Sequence, residues 1–226
     1  MKSQTFTDLM PGMKTMSVRL RQVGGPAGII GGLLWAALQY LWFLGHGPTG
    51  VDEDKIVFSL HNQDYLRFLI LPMLLVLVAF ISLHTYQKDK LGRPGKAGYV
   101  ITLTGYGAIL LGHLLVNFTF PFGHPVTIVG FSLQSFGLFG LLLIGWWIYG
   151  IAFRRTGVLP RWSRNLSLLM GTSVFLALLW TVLDLASISG YPPSVVFATV
   201  HGLSWSLLGY ALWSHRFSNI RVKSRM

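Results

Sequence analysis

Residues 66–97 read LRFLILPMLLVLVAFISLHTYQKDKLGRPGKA. From Leu66 to Tyr86 the only charge is Arg67, beside the start, and the run has the length of about 20 residues that carries a helix across a ~30 Å hydrocarbon core. Lys88, Lys90, Arg93 and Lys96 then crowd a short turn that holds one acid, Asp89. An apolar run followed by a basic turn is the pattern of a membrane helix that ends on the cytoplasmic side.

Working outward, similar stretches recur at 26–44, 98–119, 127–152, 165–188 and 194–214. None alternates with the period of two that barrel strands require, so helices are the predicted solution to the lack of backbone partners in lipid. The predicted fold is all-α: a polytopic integral membrane protein with six transmembrane helices in one bundle over 25–215.

Composition agrees. The chain has 226 residues, 52% of them apolar and 11% charged, with a mean hydropathy of +0.57, too apolar for an ordinary soluble domain. The net charge of +11 does not point to nucleic acid, because the basic residues sit between apolar runs rather than on one face of a soluble fold. Without cysteine there is no disulfide, thiolate metal site or cysteine nucleophile.

Basic residues orient the chain. Lys2, Lys14, Arg19 and Arg21 precede the first span, the 87–97 turn carries the four named above, Arg154, Arg155, Arg161 and Arg164 fall in the 153–164 turn, and Arg216, Arg221, Lys223 and Arg225 follow the last span. Lys55 and Arg67 lie on the other side, outnumbered by Asp52, Glu53, Asp54 and Asp64. Both termini are therefore expected in the cytoplasm, in a plasma membrane. Residues 1–24 are read as a retained interfacial segment rather than a cleaved signal, and 216–226 as a basic tail. The 45–65 connection opens with Gly45, Gly47, Pro48 and Gly50, and Asp52-Glu53-Asp54 suits a helix N-terminus, which predicts a short helix on the outer surface.

Polar residues within the spans cluster toward the outer side: Gln39, His113, Asn117, Gln134, Asp184, His201 and Ser204. Asp184 is the one acid in an otherwise uncharged apolar stretch, and an ionisable group there marks function by default. If these faces converge they form a pocket that opens outward. The bland alternative is interhelical hydrogen bonding worth about 1 kcal/mol each. His113 and His201 are also the candidate ligands for a haem or, with Asp184, for a metal ion. Asp184 with the histidines would alternatively relay protons in a transporter, although no span carries the mid-membrane Gly/Pro break of discontinuous helices. No nucleotide-binding, zinc-protease or hydrolase motif occurs in a credible context. A non-enzymatic small-ligand binder or complex subunit is the leading expectation.

Gly24, Gly25, Gly28, Gly31 and Gly32, Gly105 and Gly112, and Gly130, Gly137, Gly140 and Gly145 follow the small-residue spacing that lets membrane helices approach closely. Besides the bilayer, a membrane-protein partner or a second copy would dock through such faces. The tryptophans read as an aromatic belt at the span ends. The Gly-rich first span, the acidic segment before the second, GVLPRW at 157–162 and GLSWSLLGYALW at 202–213 together resemble uncharacterised six-helix bacterial membrane proteins of the domain-of-unknown-function type. That resemblance implies the six-helix topology and supplies no catalytic residues.

Overall fold

Long apolar runs punctuated by Gly and Pro turns fold as helices, and the computed structural model describes them over 11–46, 67–119, 124–185 and 194–223, with two short strands at 56–57 and 60–61. Side chains are described over 22–41, 67–117, 124–179, 196 and 198–214. The helices are α1 (Pro11–His46), α2 (Ile70–Gln87), α3 (Gly92–Leu114), α4 (Pro125–Thr156), α5 (Leu166–Leu185) and α6 (Ser194–Lys223). Among the described residues, Ile70–Gln87, Gly92–Asn117 and Pro125–Thr156 are long and apolar enough to cross a membrane.

Two expected boundaries dissolve. Helix α1 starts at Pro11, so most of the segment expected to lie apart over 1–24 is continuous with the first apolar run, and α6 runs into the basic tail as far as Lys223. The short helix expected between the first two spans needs correction: the described part of that connection is extended. Ile56–Val57 (β1) pairs antiparallel with Leu60–His61 (β2), Ile56 opposite His61, as suits the β-branched Ile56 and Val57. Asp52, Glu53 and Asp54 lie outside the described residues.

The helices form a ring in chain order. Each packs on its sequence neighbours, and α1 closes the circle by packing on α6 as well as on α2. The α1–α6 seam is made by glycines. A methyl group on Gly209 would lie 2.5 Å from the Ile29 nitrogen and 2.6 Å from the Gly25 carbonyl oxygen, and one on Gly202 would lie 2.6 Å from the Gly32 carbonyl oxygen. Backbones this close leave no room for a Cβ, and Ser206 Oγ donates across the seam to the Ile29 carbonyl at 3.1 Å. The α3–α4 seam repeats the device, with a Gly137 methyl 2.7 Å from the Gly105 carbonyl oxygen and a Gly130 methyl 2.9 Å from that of Gly112. The glycine faces that a partner was expected to use are thus filled by the chain's own helices.

The ring encloses an aromatic core: Phe80, Tyr106, Trp146, Tyr149 and Trp205 are all fully or almost fully buried. Phe80 lies at its centre, with ring centroids 5.1 Å from Trp146, 5.3 Å from Tyr149 and 6.2 Å from Trp205. Trp147, Trp162 and Trp213 are exposed, whereas the belt reading fails for Trp146 and Trp205, which fill the interior. Buried indoles contribute the largest apolar area a core residue can offer.

Two local features position the site. His124 Nδ1 accepts from the Val126 amide at 3.3 Å and Pro125 opens α4, so the helix start is fixed by a side-chain cap and a pre-set φ. Within α4, Phe136–Leu142 is a seven-residue π-helical run, and α3 ends in a second one, Leu115–Thr119. Such runs are rare and re-aim side chains by adding a residue to the turn.

Candidate functional site

Near the end of the ring away from the basic turns, two cavities adjoin. One, of about 210 Å³, lies among α1, α4, α5 and α6; the other, of about 340 Å³, lies among α1, α2, α3 and α4. Trp35 and Gln39 of α1 and Leu138 and Phe139 from the π run of α4 line both. All six helices contribute a wall, and the π run turns two of its side chains toward the shared boundary.

His201 forms part of the smaller cavity and is 5% exposed. Its Nε2 lies 3.0 Å from the Tyr106 hydroxyl, and Trp205 Nε1 donates to that same hydroxyl at 3.0 Å. With its oxygen accepting from Trp205, Tyr106 has its proton to give to His201 Nε2. The imidazole then carries its own proton on Nδ1. His201 Nδ1 is buried without a hydrogen-bond partner among the described residues, and so is Trp35 Nε1. The two rings stand 5.7 Å apart, centroid to centroid, at 46°. Val174, Ala177 and Ala198 add apolar wall to this small cavity, and the two N–H groups, on rings that line it but themselves shielded from it, have no acceptor among the described residues, which is a costly arrangement.

In the larger cavity, Gln134 Nε2 lies 3.4 Å from Nδ1 of the buried His113. Met73, Ile109 and Leu69 supply the apolar wall.

The residues singled out by sequence separate into groups. Gln39, His113, Gln134 and His201 line the paired cavities. Asn117 does not: its Nδ2 donates to the His113 carbonyl at 2.9 Å, one turn back within the π segment. Ser204 is buried but donates to the Val200 carbonyl of its own helix at 2.7 Å. Both fit the hydrogen-bonding role that membrane helices give such residues. Asp184 falls in the last turn of α5, and its side chain lies outside the described residues.

A haem or metal between His113 and His201 meets an obstacle in this geometry. The rings line different cavities; the hydrogen bonds of His113 Nδ1 with Gln134 and of His201 Nε2 with Tyr106 do not themselves oppose a ligand on the other ring nitrogen. Among the described residues no group of three or more His, Asp or Glu side chains gathers as a metal site would require.

Sequence reasoning missed Tyr106, Trp205 and Trp35. Spacing contained one signal, since Trp205 and His201 are four apart and share a helix face. It also missed the opposite end, where His84 stacks on Tyr99 at 3.6 Å and 10°, and Thr156 Oγ1 donates to the buried Gln87 Oε1 at 3.3 Å.

Compared with known proteins, the chain matches no family model, no curated protein and no solved structure.

Proposed function

We propose that this chain is a non-enzymatic, six-span plasma-membrane protein with both termini in the cytoplasm, and that its paired cavities, in the outer half of the bilayer, bind a small ligand. The observation that carries this reading is the pair of adjoining cavities, walled by apolar side chains together with Gln39, His113, Gln134 and His201. The ligand that fits is compact, uncharged and mostly apolar, as the walls are, with few polar atoms to meet Gln39 and Gln134. Volume supports it, since the larger cavity alone reaches the ~300–1,000 Å³ of ordinary ligand sites. The split of basic residues between the two ends of the ring supports the orientation.

The test is to purify the full chain in mild detergent, extract it with organic solvent and identify small molecules by mass spectrometry, beside the His201→Phe and Trp35→Phe variants. A compact apolar species recovered from the wild type and depleted in both variants is the expected result. Equal recovery from all three, or none from any, overturns the reading. An absorption spectrum of the same samples addresses the alternative: a Soret band lost in His113→Ala and His201→Ala would replace the apolar ligand by haem.

A further inference from the structure

At the basic end of the ring lies a third cavity, of about 420 Å³, between the start of α3 and the last turns of α4. Its wall joins Lys90, Leu91, Gly92 and Pro94 to Ile148, Ile151, Ala152 and Arg155. On α4 these fall at i, i+3, i+4 and i+7, a single helix face that leads from isoleucine to arginine over about 10 Å at ~1.5 Å per residue. The rim is held in place. Leu91 is buried, Gly92 turns with φ +63°, and a methyl group on Gly95 would meet the Leu91 Cβ at 2.7 Å and the Ala152 Cβ at 3.0 Å. Lys90 and Arg155 are exposed at the mouth, and among the described residues no carboxylate lines the cavity; Asp89, next in sequence to Lys90, is not part of the wall. Below the mouth, Ile151 and, further along the helix, Ile144 are exposed on the outside of the ring, so the cleft is open sideways.

We infer that this cleft binds one anionic phospholipid, its phosphate between Lys90 and Arg155 and an acyl chain along the Ile148–Ala152 face. Charge complementarity selects the headgroup: two cations without a carboxylate in the wall form a positive mouth, and juxtamembrane Lys and Arg attract anionic lipids of the cytoplasmic leaflet. Shape and polarity select a lipid over a free anion, because the wall behind the cations is apolar and open to the side. The inference rests on the membrane reading and its orientation, and is independent of the ligand proposed for the other end of the ring.

The experiment is native mass spectrometry of the full chain in detergent titrated with phosphatidylglycerol, with phosphatidylcholine, or with inorganic phosphate. Flotation of the same protein with liposomes establishes separately that it enters a bilayer, so a failure of the membrane reading is seen there first. Wild type is expected to retain one phosphatidylglycerol in preference to phosphatidylcholine, and Lys90→Gln with Arg155→Gln to reduce that preference about thirtyfold. The matched pair Arg93→Gln with Arg154→Gln removes two cations from the same turns that do not line the cavity, and should leave most of the preference intact. Equal retention of the two lipids by wild type, an equal loss in the matched pair, or competition by inorganic phosphate as strong as by the lipid would each overturn the assignment.

Discussion

The Tyr106 hydroxyl of α3 lies 3.0 Å from Nε2 of His201 on α6, across the interior of the ring. Both residues are buried, and Trp205 holds the same oxygen from the other side. One hydroxyl therefore occupies Nε2 and leaves Nδ1 as the imidazole nitrogen without a partner among the described residues.

Tyr106→Phe removes that hydroxyl and leaves Trp205 Nε1 and His201 Nε2 buried without it. The expected loss is about 1–3 kcal/mol of stability, read as a lower unfolding temperature in detergent. Adding Trp205→Phe should cost less than it does alone, with a coupling of about 0.5–3 kcal/mol. Additive losses would mean that the two rings do not share the oxygen.

Glycine substitutions should divide by seam. Gly209→Ala puts a methyl group against the α1 backbone and should destabilise by about 1–3 kcal/mol. Nothing lies within 4 Å of a methyl group at Gly107, so Gly107→Ala should be neutral or stabilising by up to about 1 kcal/mol. Similar behaviour of the two variants would disprove the close α1–α6 approach.

Filling the smaller cavity separates space from chemistry. Ala198→Phe should abolish recovery of the bound apolar species, and in ligand-stripped protein it should raise stability by about 0.5–2 kcal/mol. A marked loss of stability with the bound species retained would show that the 210 Å³ is not usable space.

Orientation is checked by labelling, because the chain has no cysteine of its own. A cysteine in place of Ser218 should react with an impermeant maleimide only after the membrane is opened, and one in place of Ser59 should react in intact cells. The reverse pattern would invert the bundle and put the lipid cleft in the outer leaflet.

Helix positions were legible because an uninterrupted apolar run of about 20 residues suits a helix that spans the hydrocarbon core and little else. The polar residues within the apolar runs were legible as a set, and four of them, Gln39, His113, Gln134 and His201, do line cavities. Their partners were not. Trp205 and Trp146 look in sequence like the exposed Trp147 and Trp213, since an indole suits an interface and a core equally, and only the rotation of each helix decides. The π run of α4 shifts the helical phase from Phe136 onward, so a face counted at 3.6 residues per turn does not carry through to Leu142. Glycine spacing announced close seams without saying which helix would fill them. The hairpin at Ile56–His61 was obscured by the acids before it, which were read as a helix start.

The Gly202–Gly209 face of α6 meets α1, which lies far upstream of it in the sequence, and that same pair supplies Trp35, Gln39 and His201 to the cavities. During synthesis, then, α1 must wait with Gly25, Gly28 and Gly32 uncovered by α6 until that helix is made. Closure of such a distant contact comes late and slowly. No chain lacking α6 can close the smaller cavity, and an arrested intermediate presents a bare glycine groove that any neighbouring helix can occupy.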